Sequence, residues 1–372
     1  MKTTVAWTVG RRPASVIVVT LVAMILPWVT AGPAAAGAAS PATLAKVSTG
    51  IVGAIDQLGT PVALDRGFFE KWGLDVSIAR PYPTGVDQLN ALQAGEIQIG
   101  QVGVPMIGAV IRGMDLVILG NYTGSAARLG SDATTALVAR EGSGIKPGDL
   151  QSLKGKRIAA SFGTINHLYI LGLLEKAGLK PSDVTLVNTP PQEMPVALLA
   201  KGIDAFSGWD PFPIMALKDV AGSYEVIRGG QVIGFLGFIV AMRDWAEKNA
   251  DAVERFLAAR AEADKWMRAN PAGTAQIAVR WLPGTRPEIA QDAMKYNIQQ
   301  LDIRISANNY RALYSANDRL NKLGHIPSVI DVNKVFAPQY ILKVMKEHPD
   351  LFSDLAGIPQ AAQVGPGYVF RP

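Results

Sequence analysis

Leu89-Asn90-Ala91-Leu92-Gln93-Ala94-Gly95-Glu96-Ile97 and, far downstream, Val196-Ala197-Leu198-Leu199-Ala200-Lys201-Gly202-Ile203-Asp204 are two versions of one pattern. Each reads as a short helix, a glycine that stops it and the start of a strand. The strands then run into Gly103-Val104-Pro105 and Gly208-Trp209-Asp210-Pro211. Those loops stand at the carboxyl ends of strands, where open α/β sheets bind ligands. Two matching halves present two facing loops, and a cleft between them is the natural site.

Working outward, the same alternation continues. Leu44 to Ile55 is apolar and β-branched, Thr60-Pro61 offers a helix cap followed by proline at the first helical position, and Gly67 ends that helix. Val76 and Ile78 alternate with polar neighbours as a strand does, Thr84 can cap the next helix, and Ile97 and Ile99 begin another strand. After Leu116 to Gly120 and Thr135 to Ala139, the glycine-rich loop Glu141 to Pro147 looks like a crossing point. A second series follows: strand Arg157 to Ser161, helix Leu168 to Lys176 ended by Gly178, strand Val184 to Val187 and helix Val196 to Lys201. Phe235 to Ala241 is an apolar run that can return the chain to the first half. Beyond it Val253, Phe256, Leu257, Ala263 and Met267 form one helical stripe, read as a core face. The expected class is α/β, two-lobed, with mostly parallel sheets, helices on both faces and two hinge crossings.

The first residues carry Lys2, Arg11 and Arg12 without an acid, then an apolar run from Val16 to Val29 and small residues from Ala31 to Ser40. That is the layout of a secretory signal peptide, residues 1–39, with cleavage after Ala36 or Ala39. Losing those three cations lowers the formal net charge from +5 to +2, and no Lys/Arg cluster is interleaved with aromatics. Nucleic acid is therefore not expected as a partner. The chain has no cysteine, which excludes disulfides, thiolate metal sites, cysteine nucleophiles and a lipid-modified cysteine at the cleavage site. With three histidines a histidine-rich metal site is not expected, and the common catalytic and phosphate-loop motifs are missing. The expectation is no catalytic residue, no metal and no cofactor.

Candidate ligand residues follow from the loop positions. Ser161-Phe162-Gly163-Thr164-Ile165-Asn166-His167 joins a strand to a helix, and free N–H groups with the helix dipole favour an anion there. An ordinary capped turn made by Thr164 and Asn166 reads equally well. Asn121-Tyr122-Thr123 offers three hydrogen-bonding side chains after another strand, with a polar surface turn as the alternative. Asp56-Gln57 and Thr84 hold equivalent positions after the first and second strands. Trp209 can stack on a ligand or pack at the hinge, and Phe212 adds apolar surface. Asp210 in an anion cleft repels the ligand unless it is paired, which hints at a zwitterion or at a partner such as His167.

Ala63-Leu64-Asp65-Arg66-Gly67-Phe68-Phe69-Glu70-Lys71-Trp72-Gly73-Leu74-Asp75-Val76 resembles the start of the sulfonate, nitrate and taurine binding proteins of ABC importers. Leu153 to Ala159, Gly178-Leu179, and Gly202-Ile203-Asp204-Ala205 with Trp209-Asp210-Pro211 echo the second lobe of that family, and the likeness runs from about Leu44 to Pro271. The resemblance implies a type II periplasmic binding fold, with lobe one at 43–139 and 235–330, lobe two at 140–234, and 331–372 packed on lobe one. Its ligand loops fall at Asp56-Gln57, Thr84-Gly85, Gly103-Val104, Asn121-Tyr122, Gly163 to His167 and Trp209-Asp210, though His167 and Asp210 are not family signatures. It implies a monomeric periplasmic subunit that closes on a small anionic ligand and serves a membrane permease. A pyrimidine-precursor binding protein, an enzyme or a sensor on the same fold are the alternatives. The family's pyrimidine synthase carries a cysteine-rich motif that this chain lacks.

Overall fold

Alternating β-branched and glycine-stopped segments build two five-stranded sheets. The computed structural model describes residues 44–129, 132–234 and 237–372, and the expected leader lies outside them. The strands are β1 (Ala45–Val52), β2 (Leu74–Tyr82), β3 (Ile99–Val102), β4 (Leu116–Thr123), β5 (Thr135–Ala139), β6 (Arg157–Ala160), β7 (Thr185–Asn188), β8 (Ala205–Trp209), β9 (Tyr224–Arg228) and β10 (Gly237–Met242). The first sheet has the order β2-β1-β3-β10-β4 and the second β7-β6-β8-β5-β9. In each, three parallel strands are followed by one antiparallel strand and then a fifth. The internal echo therefore reports a repeated topology.

The antiparallel strand of each sheet, β10 or β5, is the one that has just crossed from the other half. This corrects two expectations. Thr135 to Ala139 was assigned to the first lobe, but β5 pairs with β8 and β9. The crossing accordingly falls between Thr123 and Thr135, before the Glu141 to Pro147 loop. All five residues of β5 are buried, so periodicity carried no sign of which sheet it joins. The two crossings are pinned together by Asp132, whose carboxylate accepts the backbone N–H of Gln231 (3.2 Å) and Val232 (3.0 Å).

The helices are α1 (Gly59–Asp65), α2 (Phe68–Lys71), α3 (Gly85–Gln93), α4 (Pro105–Ile111), α5 (Ile165–Lys176), α6 (Met194–Leu199), α7 (Phe212–Asp219), α8 (Arg243–Lys248), α9 (Ala250–Ala269), α10 (Pro271–Trp281), α11 (Pro287–Asn297), α12 (Ala307–Lys322), α13 (Val332–Val335) and α14 (Gln339–Glu347). Thr84 caps α3 in a full capping box with Asp87. Gly67, Gly95 and Gly178 take left-handed φ values where helices stop, as expected, but after α6 it is Lys201 (φ 57°) that does so, ahead of Gly202. Thr60 is no cap: it lies inside α1, and its hydroxyl accepts from Arg260 Nη1 (2.8 Å).

The stripe expected on α9 is core, with Val253, Phe256, Leu257, Ala263 and Met267 fully buried and Phe256 stacked on Phe69. Residues beyond Ile330 run along β4: Phe336 bridges Ile118, and Asn333 exchanges hydrogen bonds with Phe370. Among the described residues no helix is long and apolar enough to cross a membrane, and no cluster of metal-ligating side chains occurs.

Candidate functional site

Between the two sheets lies a cleft with about 430 Å³ of empty space, the open solvent at its mouth included. The first half supplies Val52 and Ala54 from the end of β1, then Asp56 and Gln57 from a tight 3-10 turn. It also supplies Gly85 at the start of α3, Gln101 to Pro105 leading into α4, and Tyr122 on β4. The second half supplies Thr164 and Ile165 at the start of α5 and Trp209 at the end of β8. So Asp56, Gln57, Gly103, Val104, Tyr122, Thr164 and Trp209 are brought together as expected from their loop positions.

The other expected residues lie elsewhere. Thr84 spends its hydroxyl on Asp87 and on the Val86 N–H, leaving Gly85 at the cavity wall. Asn121 is fully buried; its Nδ2 donates to the Arg304 carbonyl (2.5 Å) and its Oδ1 accepts from Asn309 (3.3 Å). It fastens β4 to the segment before α12. Gly163 offers its N–H to His167 Nδ1 (3.4 Å). Asn166 is buried on α5 outside the lining, its side chain unpartnered among the described residues. Phe212 packs edge-on behind Trp209, with ring centres 6.4 Å apart.

Asp210 is paired, but with Arg228. The Arg228 Nη1 reaches both carboxylate oxygens at 3.1 Å, and Asn297 Nδ2 donates at 3.0 Å. Burial pushes the Asp210 carboxyl up, to about 7, against the pull of Arg228. Arg228 loses solvation, yet Asp210 and Glu225 hold its pKa above the ordinary value. Asp210 also links the halves, because its backbone carbonyl accepts the Ile55 N–H (3.2 Å).

His167 lies outside the cavity, stacked on Phe162 (4.7 Å) and edge-on to His325 (4.8 Å). Burial, then the nearby His325, lowers its pKa from 6.5 to about 4. Between those pH values the unfolded chain takes up a proton that the folded chain refuses. The stability held by neutral His167 is therefore present above pH 6.5 and is lost as pH falls toward 4. Urea unfolding of His167→Phe should show a smaller drop across this window than wild type, by about 1–3 kcal/mol. Parallel pH profiles would contradict the burial of a neutral imidazole.

Gln101 was missed, along with Val52, Ala54 and Val102. Its signal was a polar residue inside the apolar strand Ile99–Val102. The side chain joins a buried network: Arg260 Nη1 donates to Gln101 Oε1 (2.7 Å), while Gln88 and Gln57 both donate to the Gln101 carbonyl (2.9 and 3.1 Å). Gln57 Oε1 in turn accepts the Val52 N–H (2.7 Å). The cavity floor is thus held rigid by side chains that satisfy one another.

Two sheets of repeated topology, joined by two crossings with a cavity between them, make up the two-lobed fold of type II periplasmic binding proteins. The chain belongs to the NMT1/THI5-like family, whose model matches residues 55–274. A putative binding protein of Brucella abortus is 27% identical over 237 residues, 63% of this chain and 70% of that protein. A putative aliphatic sulfonates-binding protein of Escherichia coli K12 is 34% identical over 191 residues, 51% of this chain and 57% of its own length. Among solved structures, the alkanesulfonate-binding protein of Xanthomonas axonopodis bound to MOPS superposes with TM-score 0.70 at 22% identity, covering 81% of this chain and 99% of that one.

Proposed function

We propose that this chain is the periplasmic solute-binding subunit of an ABC importer, exported after removal of residues 1–39, and that it closes as a monomer on a small acid of the sulfonate, carboxylate or nitrate kind. The observation that carries the reading is the cavity itself. Helices α3 and α5, nine and twelve residues long, begin at its wall from opposite sheets, at Gly85 and Ile165. Their first N–H groups and dipoles favour the negative end of a ligand, and Trp209 offers an apolar face for its carbon skeleton. On this reading lobe one is the β1–β4 sheet completed by β10, lobe two is the β5–β9 sheet, and the paired crossings at Asp132 form the hinge. The names carried by the relatives support the same ligand class.

A thermal-shift panel of small sulfonates, carboxylates, nitrate, bicarbonate and aminopyrimidines tests it, because a compound that binds only the folded chain raises its Tm. A shift with an acid at micromolar concentration is expected. A shift confined to the aminopyrimidines would replace the acid by a pyrimidine precursor, and turnover of a bound compound would replace binding by catalysis.

A further inference from the structure

We infer that Asp56 is a specificity-determining residue of this cavity, and that the ligand carries, besides its acidic end, a protonated amine or similar N–H donor that the Asp56 carboxylate accepts. The inference deepens the importer reading and rests on it.

Three observations support it. Asp56 is 4% exposed and lines the cavity, yet its Oδ1 has no hydrogen-bond partner among the described residues. A buried carboxylate oxygen left bare is costly, so such an atom at a cavity wall marks a place for a donor. Next, the described residues of the lining include no Lys, Arg or His, and Asp56 is the one carboxylic acid among them. A simple inorganic anion therefore meets a carboxyl and no cationic side chain. Finally, the neighbouring Asp210 is already occupied by Arg228 and Asn297, which leaves Asp56 as the acid without a counterpart.

The wall has a complementary orphan. Trp209 Nε1 is buried without a partner, a donor where Asp56 is an acceptor. A ligand with an acidic acceptor at one end and an ammonium donor at the other satisfies both, together with the helix starts at Gly85 and Ile165. Burial and the Asp210 charge push the Asp56 carboxyl up to about 7. An ammonium brought into contact reverses that shift and restores the charged form.

The test uses matched probes measured by isothermal titration on the mature chain: taurine against ethanesulfonate, β-alanine against propionate, and ethanolamine as an amine without an acid. At least one amine-bearing acid is expected to bind about tenfold or more tighter than its amine-free partner. Asp56→Asn, which keeps the shape and removes the charge, is expected to abolish that preference, so that the two members of each pair bind alike. Equal affinity within both pairs, or a preference that survives in Asp56→Asn, overturns the inference and leaves the importer reading standing. No binding by any of the four acids, with or without ethanolamine binding, overturns the inference, and the wider thermal-shift panel then decides the importer reading. The wild-type comparison stands even if the variant folds poorly.

Discussion

Alanine in place of Trp209 weakens binding of the tightest compound from the panel by about tenfold or more, with the far-ultraviolet circular dichroism unchanged. The side chain ends β8, is 7% exposed and lies against Phe212 on its inner side, so it forms a wall between cavity and core. Removing it widens the cavity, takes away the largest apolar side chain of its lining and deletes an indole N–H unpartnered among the described residues. Trp209→Phe separates these effects, since it keeps most of the aromatic area and loses only the donor. An intermediate loss is expected there by isothermal titration. Unchanged affinity in the alanine variant would place the ligand outside this cavity.

The second large effect is on stability. Arg260 sits in the middle of α9 with no exposed surface, donating to Thr60 Oγ1 (2.8 Å), Gln101 Oε1 (2.7 Å) and Asp264 Oδ1 (3.4 Å). A β-carbon at Gly59 would run into both Arg260 and Asp264, so the first turn of α1 closes tightly over the pair. Arg260→Met leaves Asp264, 1% exposed, as a buried carboxyl without its cation. That loss costs about 3–5 kcal/mol, because the desolvation already incurred is no longer offset. Chemical denaturation should show it directly. The double variant Arg260→Met with Asp264→Leu removes both charges and should recover most of the loss. Since Gln101 lines the cavity, the single variant also loosens the floor, and weaker ligand binding should accompany the lower stability.

Much of the fold could be read from residue order because its signals are local. A glycine that must take positive φ at Gly67, Gly95 or Gly178 marks a helix end wherever the chain later goes. The assignment of β5 was not local: its five buried residues suit the interior of either sheet, and the choice is made by strands β8 and β9, which lie well downstream. Strand β9 went unnoticed for a related reason. Four of the five residues in Tyr224–Arg228 are half-buried, so neither alternation nor an apolar run appears.

The site divides in the same way. Position after a strand's carboxyl end pointed to the loops that line the cavity, those of Asp56-Gln57, Gly85, Gly103 to Pro105, Tyr122, Thr164-Ile165 and Trp209. It could not say which side chains were already engaged. Asn121 and Asp210 have suitable chemistry in suitable loops, but Arg304, Asn309, Asn297 and Arg228 claim them first. Asp56 had no chemical distinction in the sequence, and acquires one from burial without a partner.

The most direct measurement is a crystal structure of the mature chain with the compound that raises its Tm most. The account predicts ligand density in the cavity between the two sheets, in contact with Trp209, Asp56 and the helix starts at Gly85 and Ile165. Density at another surface, with this cavity empty, would contradict it.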